Sequence, residues 1–119
     1  MDFSKYHFVY NAAAHFAAME KYPEGIVAEL MKPGAAGLES LCWALEEMSV
    51  QGDLVRRDLG HDKSPTISAK RMQLRMMPRD INEARSIVMD GIVKGLKQSA
   101  EAEEIDEVLA EIEKKTGES

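Results

Sequence analysis

Residues 35–60 read AAGLESLCWALEEMSVQGDLVRRDLG, and this stretch decides the fold. Its apolar residues recur at steps of three and four, the period of a helix with one apolar face. The residues of that face are Leu38, Leu41, Cys42, Leu45, Met48, Gly52, Val55 and Leu59. Pro33 and Gly34 oppose extension of the helix towards the N-terminus, and Gly60 suits a left-handed stop. The pattern predicts one long central helix over about 35–60, roughly 38 Å in length.

The segments before this helix are short. Residues 6–10, YHFVY, favour a short strand or an extended arm, which would lie on the helices or pair with another molecule. Asn11 is a good N-cap for a first helix that stops before Pro23. A shorter second helix starts near that proline. We expect the inward residues of these two helices to be Ala12, Phe16, Met19, Ile26, Val27 and Leu30.

The segments after the central helix predict two more helices. Residues 61–65 form a loop, and Ser68 can cap a short helix with Met72 and Met76 on one face. Pro78 interrupts, and a longer helix restarts at Asp80 or Asn82. Its predicted inward residues are Ile81, Ala84, Val88, Ile92 and Leu96.

Two glycines lie inside that longer helix. Gly91 and Gly95 each weaken it by about 1 kcal/mol relative to alanine. Their expected use is the close approach of another helix, namely the long one at Gly52.

The architecture predicted from these segments is an all-α fold. Residues 1–99 form a compact helical domain around the long helix, and residues 100–119 add an acidic amphipathic helix. That last helix carries a narrow apolar stripe, made of Ile105, Val108, Leu109 and Ile112.

Charge is distributed unevenly along the chain. The net charge is −6, and residues 101–119 hold eight acidic and two basic side chains. Residues 55–79 hold seven basic and two acidic side chains. Both regions can be ordinary solvated faces. Alternatively, the acidic tail folds back on the basic middle, or competes with a partner for it.

Residues that carry catalysis or bind metals form no recognisable group. Cys42 is the single cysteine and lies on the apolar face, so we expect a buried thiol, no disulfide and a reducing, cytoplasmic location. His7, His15 and His61 lack the spacing of metal ligands. No apolar run is long enough to cross a membrane, and no signal peptide precedes the domain. The expectation is a protein without catalytic residues, metal or cofactor.

Binding is the alternative to catalysis. Eight methionines are present, and Met72, Met76 and Met77 lie beside Arg75, which suggests a flexible groove for apolar segments. Nucleic acid is not the expected partner. Arg71, Arg75 and Arg79 could contact phosphates, as in a helix–turn–helix protein, but the following helix is rich in carboxylates and the chain is acidic.

Several stretches resemble phage tail assembly chaperones, the small proteins of long-tailed phages and prophages of Gram-positive hosts. FVYNAAAHFAAMEKYPEGI is similar to the family's first helix and its "EKYG-x-GI" turn. LCWALEEMSVQGDLVRR is similar to its long helix, and MPRD to its "TP-x-D" helix start. The tail around EKKTG also fits. The resemblance covers nearly the whole chain.

The resemblance implies a non-enzymatic protein that binds the tape measure protein and keeps it soluble while the tail tube assembles. It implies action in the host cytoplasm, absence from the mature virion and self-association. A ribosomal frameshift near the end of the reading frame would give a longer product that binds the tail tube protein. EKK at 113–115 is compatible with a slippery codon run.

The candidate partner-binding residues that follow from the groove, the basic middle and the C-terminal stripe are Arg56, Arg57, Met72, Arg75, Met76, Met77, Ile105, Leu109 and Ile112. Two other functions stay open. One is a generic helical adaptor that docks through its C-terminal helix, and the other is a DNA-binding regulator.

Overall fold

A computed structural model describes residues 1–99 of the chain. Five α-helices follow one another: α1 (Ala12–Lys21), α2 (Ile26–Leu30), α3 (Ala35–Asp58), α4 (Ala69–Arg75) and α5 (Ile81–Ser99). Short 3₁₀ turns lie at Phe3–Lys5 and Pro78–Asp80. The all-α prediction is confirmed. The predicted C-terminal helix lies outside the described residues.

Helix α3 is the centre of the fold, as its apolar period predicts. It packs against α1, α2, α4 and α5, and its Leu41, Leu45 and Met48 are fully buried. The chain turns away at Gly60, whose φ of 83° is left-handed, so the predicted stop is confirmed. The helix itself ends at Asp58, and Leu59, predicted to be inward, is 67% exposed. The apolar spacing in the sequence thus continues to Leu59, but burial of the apolar face ends before that residue.

The N-terminal segment is an extended arm. No strand occurs within residues 1–99, so the strand alternative is wrong and the arm alternative holds. The backbone amide of Val9 donates a hydrogen bond of 3.1 Å to the carbonyl oxygen of Met48 in the middle of α3. The arm therefore lies directly on the helices.

Two glycines make room for the arm. A Cβ at Gly52 would overlap the carbonyl oxygen of His7, and one at Gly95 would overlap that of Tyr10. The predicted contact between Gly95 and Gly52 is therefore wrong, because the arm passes over both. Gly91 does approach the long helix, and its partner there is the side chain of Met48.

Helix α1 packs through its alanines. The Asn11 side chain caps it by accepting from the amide of Ala14 at 3.0 Å. Ala14 and Ala18 are fully buried, whereas Phe16 is 66% exposed, so the predicted inward face is wrong. Large side chains do not fit where α1 meets its neighbours closely.

The remaining helices follow their predicted patterns with few exceptions. Ile26 and Leu30 of α2 are buried, as are Ala84, Val88 and Ile92 of α5. The Ser68 side chain caps α4 by accepting from the amide of Arg71 at 3.2 Å. Val27 and Leu96, both predicted to be inward, are exposed.

Candidate binding surface

A row of polar side chains on α3 positions the loop between α3 and α4. Glu46, Ser49 and Asp53 are spaced three and four residues apart, so they share one face of the helix. Each accepts a backbone hydrogen bond from the loop or the start of α4. Ser64 N donates to Asp53 Oδ1 at 2.8 Å, Ile67 N to Ser49 Oγ at 3.2 Å, and Ala69 N to Glu46 Oε1 at 2.7 Å. This polar row holds α4 against α3.

Of the two arginines at the end of α3, Arg56 contacts this loop and Arg57 pairs with the polar row. Arg57 Nη2 lies 3.0 Å from Asp53 Oδ2, and Arg56 Nε donates to the carbonyl oxygen of Asp62 at 3.2 Å. Both were predicted to bind a partner. The structure gives them partners within the chain, and the Arg57 side chain is still 56% exposed.

The methionines of the α4 region have three different environments. Met72 is fully buried in the core, so its predicted place in an open groove is wrong. Met76 is half-buried, and Met77 is 55% exposed. Arg75 is exposed at the end of α4. A partner can reach Met76, Met77 and Arg75, whereas Met72 anchors α4 to the core.

Met76 lines a groove of about 310 Å³ between α3, α4 and the start of α5, which we call the α3–α4 groove. Most of its wall is apolar and includes Leu38, Cys42, Met76 and Ile81. Two polar side chains, Glu39 and Gln73, also line it. Burial raises the pKa of the Cys42 thiol, so this cysteine is neutral and acts as an apolar wall. The groove can hold apolar side chains.

A second groove, of about 260 Å³, lies between α1, α2 and the C-terminal half of α5; we call it the α1–α5 groove. Three large side chains in its lining are substantially exposed: Met19 (57%), Val27 (41%) and Leu96 (44%). All three were predicted to be inward, so sequence reasoning missed this surface. The sequence did contain a signal for it, because α1, α2 and α5 carry more large apolar residues than their contacts can bury.

Exposed apolar side chains are frequent across residues 1–99. The most exposed are Leu74 (82%), Met31 (75%), Leu59 (67%) and Phe16 (66%). Single exposed apolar residues are ordinary, but clusters beside grooves mark interaction sites. None of these four lines either groove. Exposed apolar side chains do gather in the α1–α5 groove, and Met77 is exposed next to Met76 of the α3–α4 groove, so the two grooves are the candidate binding surfaces.

The titratable groups of residues 1–99 form no cluster that could hold a metal ion. No group of three or more His, Cys, Asp or Glu side chains converges there. The Tyr10 hydroxyl and His15 Nδ1 are hydrogen-bonded at 2.8 Å, and His7 and His61 are exposed. Each helix within the same residues is too short or too polar to span a lipid bilayer.

The C-terminal candidates, Ile105, Leu109 and Ile112, lie outside the described residues.

A scan against protein-family models and searches of the curated proteins and the solved structures found no match. These comparisons therefore do not identify what the two grooves bind.

Proposed function

We propose that this protein is a tail assembly chaperone that binds the apolar helices of a phage tape measure protein through the α3–α4 groove. It keeps that client soluble in the host cytoplasm until the tail tube forms around it, and makes or breaks no covalent bond. The sequence resemblance over nearly the whole chain supports this function. The observation that carries it is an apolar groove lined by Met76 and bordered by a basic helix.

The shape of the α3–α4 groove suits helical side chains. Its volume of about 310 Å³ is at the small end for a small-molecule pocket, and few polar groups converge in it. An amphipathic helix inserts apolar residues at steps of three and four into such a groove. Met76, and Met77 beside it, adapt their shape to different side chains. A client with many similar helical segments needs that tolerance.

Charge beside the groove favours an acidic edge on the client helix. Helix α4 carries Lys70, Arg71 and Arg75, all exposed, and no acidic residue. Arg75 directly precedes Met76, which lines the groove. Exposed charges of this kind steer association and fix orientation more than they add affinity. The client segment is then an apolar helical stripe flanked by Asp or Glu on the side that meets α4. On the opposite side, Glu39 of α3 lines the groove and favours a neutral or basic flank.

Co-expression with the tape measure protein tests the function. We expect the wild-type chain to move that protein from the insoluble to the soluble fraction and to co-purify with it. Met76→Glu places a charge in the groove and should abolish both effects. Leu74→Glu is the matched control, because Leu74 lies on α4 two residues before Met76, is 82% exposed and does not line the groove.

Two results would contradict the proposal. One is a folded Met76→Glu protein, with an unchanged melting temperature, that solubilises the client as well as the wild type does. The other is wild-type protein that leaves the client insoluble.

Deletion of residues 100–119 separates the chaperone from the adaptor. Client binding through the α3–α4 groove should survive this deletion largely intact. An adaptor that docks through its C-terminal helix would lose its partner entirely. A gel shift that weakens steeply with salt would instead favour the DNA-binding regulator.

A further inference from the structure

The α1–α5 groove is not used by the proposed function, and its apolar wall has no cover among residues 1–99. Ala18, Ile26 and Ile92 form its buried base, and Met19, Val27 and Leu96 are exposed in its lining. An apolar surface that gathers side chains from three helices is a site for another apolar segment.

The chain leaves the described domain beside this groove. Leu96 is part of the groove, and the described part of α5 reaches Ser99 three residues later. Residues 100–119 follow, with the apolar stripe Ile105, Val108, Leu109 and Ile112 in an otherwise acidic sequence. Ile105 is six residues beyond Ser99, and six extended residues span roughly 20 Å. The stripe therefore starts within reach of the groove.

The stripe can reach the groove only if the chain turns. At 1.5 Å per residue, an unbroken continuation of α5 would place Ile105 to Ile112 roughly 9–20 Å beyond Ser99. At about 100° per residue, the four stripe residues would lie roughly 60–160° around the helix axis from Val88, which marks the face that α5 buries. A straight helix would thus carry the stripe past the end of the groove, whereas a turn beyond Ser99 would bring it back to the nearest apolar surface.

We propose that residues 101–115 fold back as an amphipathic helix and insert the Ile105–Ile112 stripe into the α1–α5 groove of the same molecule. The occupant is the chain's own C-terminal segment, and the groove is separate from the one assigned to the client. The contact covers the apolar side chains of both surfaces.

Charge alone would send the acidic tail to the basic helix α4, but the α1–α5 groove lies closer to the point where the tail begins. The α3–α4 groove includes Ile81, at the other end of the 19-residue helix α5, about 27 Å from Ser99. Exposed ion pairs also contribute little compared with buried apolar area. Lys94 and Lys97, both exposed on α5, supply cations close to where the tail begins.

The charge of Glu24 restricts which face of the tail helix can contact the groove. It lies in the lining of the α1–α5 groove, where it would repel an acidic face. The tail must therefore meet the groove with its apolar stripe, and its carboxylates must point to solvent.

A spin label tests this contact in the full chain without any client. Glu111→Cys on the polar face of the tail carries the label, in a Cys42→Ala background so that no other thiol reacts. We expect loss of the methyl NMR signals of Val27 and Leu96, and intact signals from Leu38 and Ile81 in the α3–α4 groove. Adding Ile105→Ser and Leu109→Ser should restore the lost signals.

Three outcomes would overturn the proposal. Signal loss at Leu38 and Ile81 would place the tail at the α3–α4 groove. Signal loss in a mixture of labelled, unenriched protein with unlabelled, isotope-enriched protein would identify the tail of a second copy as the occupant. Unchanged signals throughout would mean that the tail does not dock. None of these outcomes bears on client solubility, which the Met76→Glu experiment tests separately.

Discussion

Asp53 and Ser64 join the end of α3 to the loop that leads into α4. The Asp53 carboxylate is buried and accepts the backbone amide of Ser64 at 2.8 Å. The same carboxylate faces the Arg57 guanidinium at 3.0 Å. Eleven residues separate donor and acceptor along the chain, so this hydrogen bond fixes a tertiary position. Together with the Ser49 and Glu46 contacts, it holds the loop before α4 against α3.

Removing the Asp53 carboxylate should destabilise the fold. Asp53→Ala leaves a buried amide without an acceptor, and we expect the free energy of unfolding to fall by about 2 kcal/mol. Denaturant unfolding measures this change. Asp58→Ala is the matched control, because Asp58 is exposed in the last turn of the same helix. An acidic residue there opposes the helix dipole, so its removal should be neutral or slightly stabilising. Equal losses in both variants would contradict the role of the Ser64 contact.

The polar row explains a limit of sequence reasoning. The sequence assigns no role to Glu46, Ser49 or Asp53, because their partners are backbone amides, which carry no sequence signature. The apolar period of α3, in contrast, could be predicted, since burial of one helix face depends on spacing alone. The cap of α4 at Ser68 was predictable for the same reason, being a local interaction.

The candidate site was only partly predictable. Met76 lies in the wall of a groove, whereas Met72, which was predicted to lie beside it, is buried in the core. A methionine on a helix face gives the same sequence pattern whether it meets core or solvent. In α1, large apolar residues were expected to point inward, and the small alanines do so instead. That choice depends on how closely α1 approaches its neighbours, which is a tertiary property. The same choice leaves Met19 exposed in the α1–α5 groove.

The difference between Met72 and Met77 should appear directly in stability. Met72→Ala opens a cavity in the core, and we expect a loss of about 2–5 kcal/mol. Met77→Ala removes a side chain that is 55% exposed, and its effect should stay within about 0.5 kcal/mol. Thermal or urea unfolding of the two variants provides the comparison. A small loss for Met72→Ala would mean that α4 is not anchored through this side chain.

The glycines that accommodate the N-terminal arm should not tolerate alanine. A methyl group at Gly52 or Gly95 collides with a backbone carbonyl oxygen, which cannot move without lifting the arm. We expect each variant to lose about 1–3 kcal/mol from this overlap, despite the better helix propensity of alanine. Denaturant unfolding is again the measurement.

Gly91→Ala is the matched case for these two glycines. Its methyl group meets only the flexible end of the Met48 side chain, which can rotate aside. The gain of about 1 kcal/mol in helix propensity should therefore offset most of the cost. If Gly91→Ala were as harmful as Gly95→Ala, the close approach of the arm would not be the reason for these glycines.

Asp80 should make the stability of the protein depend on acid pH. The backbone amide of Met77 donates to the Asp80 carboxylate at 2.8 Å and lowers the pKa of this group below its ordinary value of 3.8. The amine of Met1, 3.2 Å from Asp80 Oδ1, acts in the same direction. Because the folded pKa is the lower one, the stabilisation is complete above the unfolded pKa and is lost as pH falls through the folded pKa. Asp80→Asn removes the charge, so its deficit relative to wild type should be largest near neutral pH and should vanish in strong acid. Urea unfolding of both proteins across the acid range measures that difference, and a deficit that stays constant with pH would show that the charge of Asp80 does not stabilise the fold.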